Sequence, residues 1–197
     1  DVHKSVWKHE TMVYLHANSN IGLQLPNGEG RIFLPSLYSL DLTNNSGLLP
    51  DTLGPDELPH VGIIDINENL LRHGRFPNGF EKLSNSVHSL GIARLGLRHL
   101  PKFLPSFNKL SYLDARNNSI SNVSKAMSIY FKSQEQSVIG FALYLSGNTG
   151  CIGILPVSTC TPLCSEYCQS ESFLKDGECD AGCNSQDCHF DGGDCEV

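Results

Sequence analysis

The chain has 197 residues and a formal net charge of -7, with 21 acidic against 14 basic residues. Attraction to phosphate needs a basic face that this balance does not advertise, which excludes nucleic acid as the main partner. Apolar runs of only a few residues exclude a membrane span or a secretory apolar core, and eight cysteines confined to Cys151–Cys195 point to an oxidising compartment and a small cross-linked module behind a cysteine-free domain.

The opening text, DVHKSVWKHE, reads as the start of a mature or excised segment. Residues 1–11 offer one large apolar group, Trp7, and are expected to form at most a partial cap. From residue 12 to about 150 a unit recurs. Its strong copies are LYSLDLTNNSGL from Leu37, VGIIDINENLL from Val61, VHSLGIARLGL from Val87 and LSYLDARNNSI from Leu110. The anchors are Leu37, Leu40, Leu42, Asn45; Val61, Ile64, Ile66, Asn69; Val87, Leu90, Ile92, Leu95; and Leu110, Leu113, Ala115, Asn118. Weaker copies flank them at Met12, Leu15, Ala17, Asn20 and at Gly140, Leu143, Leu145, Asn148, with start-to-start spacings of 25, 24, 26, 23 and 30 residues.

The template predicts a short strand per unit with alternate side chains buried, pairing with the next unit as a parallel sheet. The asparagine falls where the chain must bend, and its amide can satisfy main-chain groups the turn leaves unpaired. Leu95 stands in that position in the fourth unit, so its turn must be satisfied otherwise. The long fifth unit has room for a helix, with Val123, Ala126, Met127 and Tyr130 at helical spacing. This pattern resembles the leucine-rich repeat family, with units of about 20 to 29 residues. The resemblance implies an α/β solenoid: short parallel strands on one side and irregular, 3-10 or helical segments on the convex side.

In this register three columns face outward from the strands. The central one is His16, Asp41, Asp65, Gly91, Asp114 and Tyr144. On one side run Tyr14, Ser39, Ile63, Ser89, Tyr112 and Ala142, and on the other Asn18, Thr43, Asn67, Ala93, Arg116 and Ser146. Solenoids bind partners on this concave face. Asp41, Asp65, Asp114, Tyr112 and Tyr144 are the candidate contacts for a basic or carbohydrate-bearing partner, and a solvated acidic face serving solubility is the competing reading. Three sequons, at Asn44, Asn117 and Asn122, mark candidate glycosylation sites.

A solenoid end exposes core and an unpaired strand edge. Residues 151–163 read as a C-terminal cap and linker, with Cys151 and Cys160 placed to staple it and Pro162 stiffening the connection so that the module docks on the last repeat.

Residues 164–197 form a separate module, CSEYCQSESFLKDGECDAGCNSQDCHFDGGDCEV. So short a segment without a hydrophobic period depends on cross-links and a metal. Its six cysteines allow several pairings, and spacing alone does not choose. The spacing C-x3-C-x10-C-x3-C-x4-C-x6-C, with both Asp-Gly pairs and the final Asp, closely resembles the Lin12/Notch repeat (LNR), most of all the versions in the lysosomal-enzyme phosphotransferase. The resemblance implies the disulfides Cys164–Cys188, Cys168–Cys183 and Cys179–Cys195, which leaves Cys151 to Cys160. It also implies one Ca2+ held by Asp176, Asp191 and Asp194 with a main-chain carbonyl near Phe173. Calcium favours six to eight oxygens including carboxylates, and adjacent glycines let the chain turn tightly around it.

Zinc would compete with the disulfides and leave the aspartates unexplained, and an EF-hand pattern is absent. Glu178, Asp180 and Asp187 read as solvated or turn-capping groups, Asn184 as pinning its turn by a backbone hydrogen bond, and Phe190 as the aromatic of a small core.

No catalytic constellation is evident. His60, His73, His88 and His99 are scattered without a partner motif. Paired carboxylates for acid/base work would have to come from Asp41, Asp65 and Asp114, and an open exposed sheet is not expected to provide the desolvation such work needs. The chain therefore reads as a non-enzymatic extracellular protein, secreted or the ectodomain of an anchored one. It either engages a protein or glycan on its concave face or polymerises head to tail as a glycosylated filament subunit. An accessory region of a secreted enzyme or membrane receptor is the third reading.

Overall fold

A computed structural model describes residues 4–20, 23, 25–26, 32–45, 47, 49–138, 140–148, 176–181, 183–186 and 189–195. Six three-residue strands, β1 (Tyr14–His16), β2 (Ser39–Asp41), β3 (Ile63–Asp65), β4 (Ser89–Gly91), β5 (Tyr112–Asp114) and β6 (Ala142–Tyr144), form one parallel sheet in chain order. Each strand pairs with the next in the register of the repeat, as in Leu15↔Leu40, Leu40↔Ile64, Ile64↔Leu90, Leu90↔Leu113 and Leu113↔Leu143. A sheet of one strand per turn with its strands stacked in order is an open α/β, solenoid-like fold.

The core consists of the stacked anchors. Leu37, Val61, Val87 and Leu110 have no exposed surface, nor do Ile64, Leu90 and Leu113. Burial of such side chains stabilises by about 1.5–3 kcal/mol each. Behind the sheet, aromatic residues fill what the short strands cannot. Phe76 lies 5.3 Å from Phe80 and 5.2 Å from Phe103, ring to ring, and Phe103 lies 5.7 Å from Phe107.

The 3-10 turns Phe80–Asn85 and Leu104–Ser106 and the helix α1 (Lys125–Ser137) pack side by side on that convex side. In α1 the Ser124 side chain caps the Met127 N–H. Met127, Tyr130 and Phe131 face inward, whereas Ala126, expected on the buried stripe, is exposed. It points away from the core between buried Val123 and Met127.

The bends are built from asparagines working between turns. Asn118 Nδ2 donates to Ala115 O of its own unit and to Ile92 O of the preceding one, both at 3.0 Å. Its Oδ1 accepts the N–H groups of Leu95 and Leu97, also at 3.0 Å. This is how the fourth unit manages with Leu95: the following unit's asparagine closes its turn. Asn148 repeats the arrangement with Ala115 O, Leu145 O and the Ile120 N–H.

Immediately before the asparagine position every unit has a left-handed residue: Ser19, Asn44, Glu68, Arg94, Asn117 and Gly147, with φ of 51 to 74°. At Gly147 a Cβ would lie 2.1 Å from Asn117 Oδ1, so glycine is needed there for space as well as conformation.

Trp7 is buried against the first turns, and Phe33 N–H donates to its carbonyl at 2.7 Å. Val13, Tyr14 and Phe33 stay exposed at 41%, 65% and 45% at this end of the sheet. Among the described residues no helix is long and apolar enough to cross a membrane. The expected cap and linker, with Cys151, Cys160 and Pro162, lie outside the described residues.

Candidate functional site

On the concave face, each strand-end aspartate first serves its own turn. Asp41 Oδ1 accepts the Thr43 N–H at 2.9 Å, Asp65 Oδ1 the Asn67 N–H at 3.2 Å, and Asp114 Oδ1 the Arg116 N–H at 3.0 Å. A short carboxylate two residues ahead of an unpaired N–H is suited to this. The units then link laterally: Thr43 Oγ1 donates to Asp65 Oδ1 at 2.9 Å, Asn18 Nδ2 to Asp41 Oδ2 at 3.0 Å, and Ala93 N–H to Asn67 Oδ1 at 2.6 Å. Gly91 makes room, since a Cβ there would come within 2.5 Å of Asp65 Oδ1.

Two expectations for this face are corrected. Asp114 is buried and forked to Arg116, Nε–Oδ1 at 3.0 Å and Nη2–Oδ2 at 2.8 Å, so its charge is spent within the sheet. Nor is the face free of desolvation. Burial, aided by the charges of Asp41 and Asp114, raises the Asp65 carboxyl above the usual range against the lowering effect of its hydrogen bonds to Thr43 and Asn67. Burial, with the Asp114 charge, pushes the Tyr112 phenol up to about 12, and the hydrogen bond to Asp114 raises Arg116.

Tyr112 and Tyr144 meet with ring centroids 5.4 Å apart, and the Arg116 guanidinium sits 5.4 Å above the Tyr144 ring. These four residues form one locked cluster at the C-terminal half of the face, while Asp41 and Asp65 remain half-buried at its N-terminal half.

The sequence reading missed a second aromatic group. Tyr38 reaches over Gly62 so that its hydroxyl lies 2.7 Å from His88 Nε2, and Tyr14 packs edge-on against Tyr38 at 6.4 Å. The signal was Gly62 at the one position where a side chain would collide with both rings. Of the sequons, Asn44, Asn117 and Asn122 are all exposed, the first two in the left-handed ladder.

In the terminal segment Cys179 and Cys195 are disulfide-bonded, with Cα atoms 4.7 Å apart. Cys183 is also disulfide-bonded, to a cysteine outside the described residues, where Cys164, Cys168 and Cys188 lie along with Phe173 and Asp187. The turn His189–Gly192 carries left-handed Phe190 and Asp191, continued by left-handed Gly192 and Gly193. Asp191 is completely buried. Its Oδ2 accepts the Asp180 N–H, while its Oδ1 has no hydrogen-bond partner.

Asp194 Oδ2 accepts the Gly177 N–H at 2.8 Å and Asp176 Oδ1 the Glu178 N–H at 2.9 Å. One oxygen of each of the three aspartates is thus tied to backbone. Their collective charge is felt at Asp180, whose carboxyl is raised by desolvation and by Asp176, Asp191, Glu178 and Asp194. Among the described residues no three His, Cys, Asp or Glu side chains are gathered as a metal-holding group. Phe190, expected in a small core, is 42% exposed: its left-handed backbone turns the ring outward and Asp191 inward. Asn184 is exposed and makes no backbone hydrogen bond with its side chain among the described residues.

Residues 157–196 match the family described as Notch: LNR domain. LNR domains are typical of extracellular Notch-type proteins. The disulfide Cys179–Cys195 lies within the matched segment, as do Asp176, Asp191 and Asp194. No curated protein matches the chain. A buried carboxylate oxygen without a partner costs several kcal/mol as a bare charge, and a hard cation is the group such an all-oxygen donor set would accept. The donor chemistry of the LNR-like segment therefore suits calcium.

Proposed function

We propose that this chain is a non-enzymatic extracellular recognition scaffold. In this reading residues 12–150 are a leucine-rich repeat solenoid whose concave face engages a protein or glycan. Residues 1–11 form a partial cap, 151–163 a disulfide-stapled cap and linker, and 164–197 a calcium-stabilised LNR module. The observation that carries it is the register: six strands stacked in order present three outward columns, which end in the cluster of Tyr112, Asp114, Arg116 and Tyr144.

Aromatic rings held immobile lose little entropy on binding and suit sugar or peptide faces, and half-buried Asp41 and Asp65 supply acceptors beside them. The three sequons at exposed asparagines support a glycosylated, secreted or ectodomain setting. Binding measured by calorimetry to neutral oligosaccharides and lysine-rich peptides, and weakened at least about tenfold by Tyr144→Ala or Asp41→Asn with unchanged circular dichroism, is the expected result. Binding indifferent to both substitutions refutes the assignment.

Calcium, in this reading, is held by Asp176, Asp191 and Asp194 and neutralises carboxylates that would otherwise repel. Asp191→Ala is expected to abolish Ca2+ binding in calorimetry and to lower the stability of the module. Unchanged affinity would refute the ligand set.

A second reading, a filament subunit joined end to end, draws on the exposed Val13, Tyr14 and Phe33 beside the edge strand β1. Electron microscopy of the native chain distinguishes it, since filaments are required. The role of accessory region in a secreted enzyme or receptor is compatible with either.

A further inference from the structure

The net charge of -7 hides a strong internal division. Residues 69–134 carry ten Lys and Arg against two Asp and Glu, a net of +8, whereas residues 164–197 carry one Lys against nine Asp and Glu, a net of -8. Of the ten cations, three are spent in the fold: Arg72 on Asp51, Arg94 on Glu68 and Arg116 on Asp114. The other seven are exposed and make no ion pair among the described residues.

Most of these seven lie on the convex side. Lys82 is in the turn Phe80–Asn85, Lys102 precedes the turn Leu104–Ser106, and Lys125 and Lys132 are in α1, three segments that pack side by side. Arg98 stands in the turn that leads into this layer. A depression of about 300 Å3 opens here between Leu100, Pro105, Ala126 and Met127, with Lys102, Ser124 and the sequon residue Asn122, which the contact proposed below requires to be free of glycan, also in its lining. Its lining is mostly apolar, with Lys102 as its one cation and Lys125 next in the chain to two of its residues, Ser124 and Ala126.

The terminal module has the complementary form. Phe190 is its exposed aromatic, and exposed Asp176 and Glu178, half-buried Asp180 and Asp194 flank the same small segment. We propose that the Phe190 turn of one copy seats in this depression on a second copy, with the carboxylates of Glu178 and Asp180, which the calcium reading leaves unassigned, against Lys102 and Lys125, so that the chain self-associates. The contact pairs two different surfaces, so it is heterologous and propagates or closes into a ring. An aromatic anchor in an apolar pocket within a ring of opposite charges is the arrangement that concentrates binding energy. The concave face is untouched, so this association is independent of what that face binds.

The test is sedimentation velocity on the full chain at constant calcium. Oligomers are expected at about 20 mM salt and monomers at about 0.5 M, since screening shortens the reach of exposed charges. The double substitution Lys102→Glu and Lys125→Glu should weaken association at least about tenfold, and Glu178→Lys with Asp180→Lys added to it should restore it. Phe190→Ser should weaken association at about 20 mM salt, where the charges are least screened.

A monomer at every salt concentration overturns the proposal, including one whose module docks on its own solenoid. So does association unchanged by reversal of Lys102 and Lys125, or association lost only on Tyr14→Ala, which would assign it to the sheet edge. A chain that binds an added sulfated polysaccharide through Lys102 and Lys125 while remaining monomeric also overturns it.

Discussion

Replacing Asn118 by alanine removes four hydrogen bonds of 3.0 Å from a side chain that is 7% exposed, and these bonds join two units. No other side chain at this level can compensate, because the fourth unit has Leu95 at the equivalent place. Each buried hydrogen bond contributes about 0.5–1.5 kcal/mol net, and a buried group left unpaired costs about 1–3 kcal/mol. Partial relaxation and water entry lower the sum, so the expected loss is about 3–5 kcal/mol, a large part of a typical domain stability of about 5–15 kcal/mol. Asn69→Ala is the control. Asn69 donates to Leu42 O at 2.7 Å and to Ile66 O and Asn67 O at 3.0 Å, but its Oδ1 has no partner, so a smaller loss is expected. Urea unfolding followed by far-ultraviolet circular dichroism measures both. If Asn118→Ala loses no more stability than Asn69→Ala, the bridging account of the fourth unit is wrong.

At Asp65 the raised carboxyl predicts a pH effect with a definite sign. The folded chain holds this proton more tightly than the unfolded chain, so the contribution of Asp65 to stability is fully present below the unfolded value of about 3.8 and is lost as pH rises through the folded value. Asp65→Asn, which keeps the Oδ1 acceptor, should stabilise the chain at neutral pH relative to wild type and lose that advantage in acid; equal stability at neutral pH refutes it. Ser124→Ala removes the cap on α1 and should cost about 1 kcal/mol in the same unfolding assay, with no change expected in any property of the concave cluster. Removing calcium with a chelator should lower the melting temperature of the terminal module, by an amount that grows with the calcium concentration of the reference sample. A melting temperature insensitive to both would argue against the ion.

How much of this was legible beforehand depends on whether the property is periodic. The strand register, the buried anchors Leu40, Ile64, Leu90 and Leu113, and the outward columns repeat in the text and recur unchanged in the sheet. The left-handed ladder was not legible, because Asn44, Asn117 and Gly147 favour that conformation but Ser19, Glu68 and Arg94 do not. At those three positions lateral hydrogen bonds to the next turn hold the backbone where local preference would not. The candidate site divides in the same way: Asp114 belongs to an outward column in sequence, and only the folded position of Arg116 makes it a buried partner.

The sequence by itself determined the repeat, its period, the cysteine-rich end and the aspartates gathered there, since these depend on residue type and spacing along one chain. Tertiary structure alone decided which charges are free. Whether Asp65 is desolvated, whether Asp191 turns inward and Phe190 outward, and whether seven of the ten cations of residues 69–134 make no ion pair among the described residues depend on what neighbouring turns bring within hydrogen-bond reach. That is a distance of a few ångströms between residues far apart in the chain, 22 positions for Thr43 and Asp65 and 11 for Asp180 and Asp191, and no local pattern encodes it.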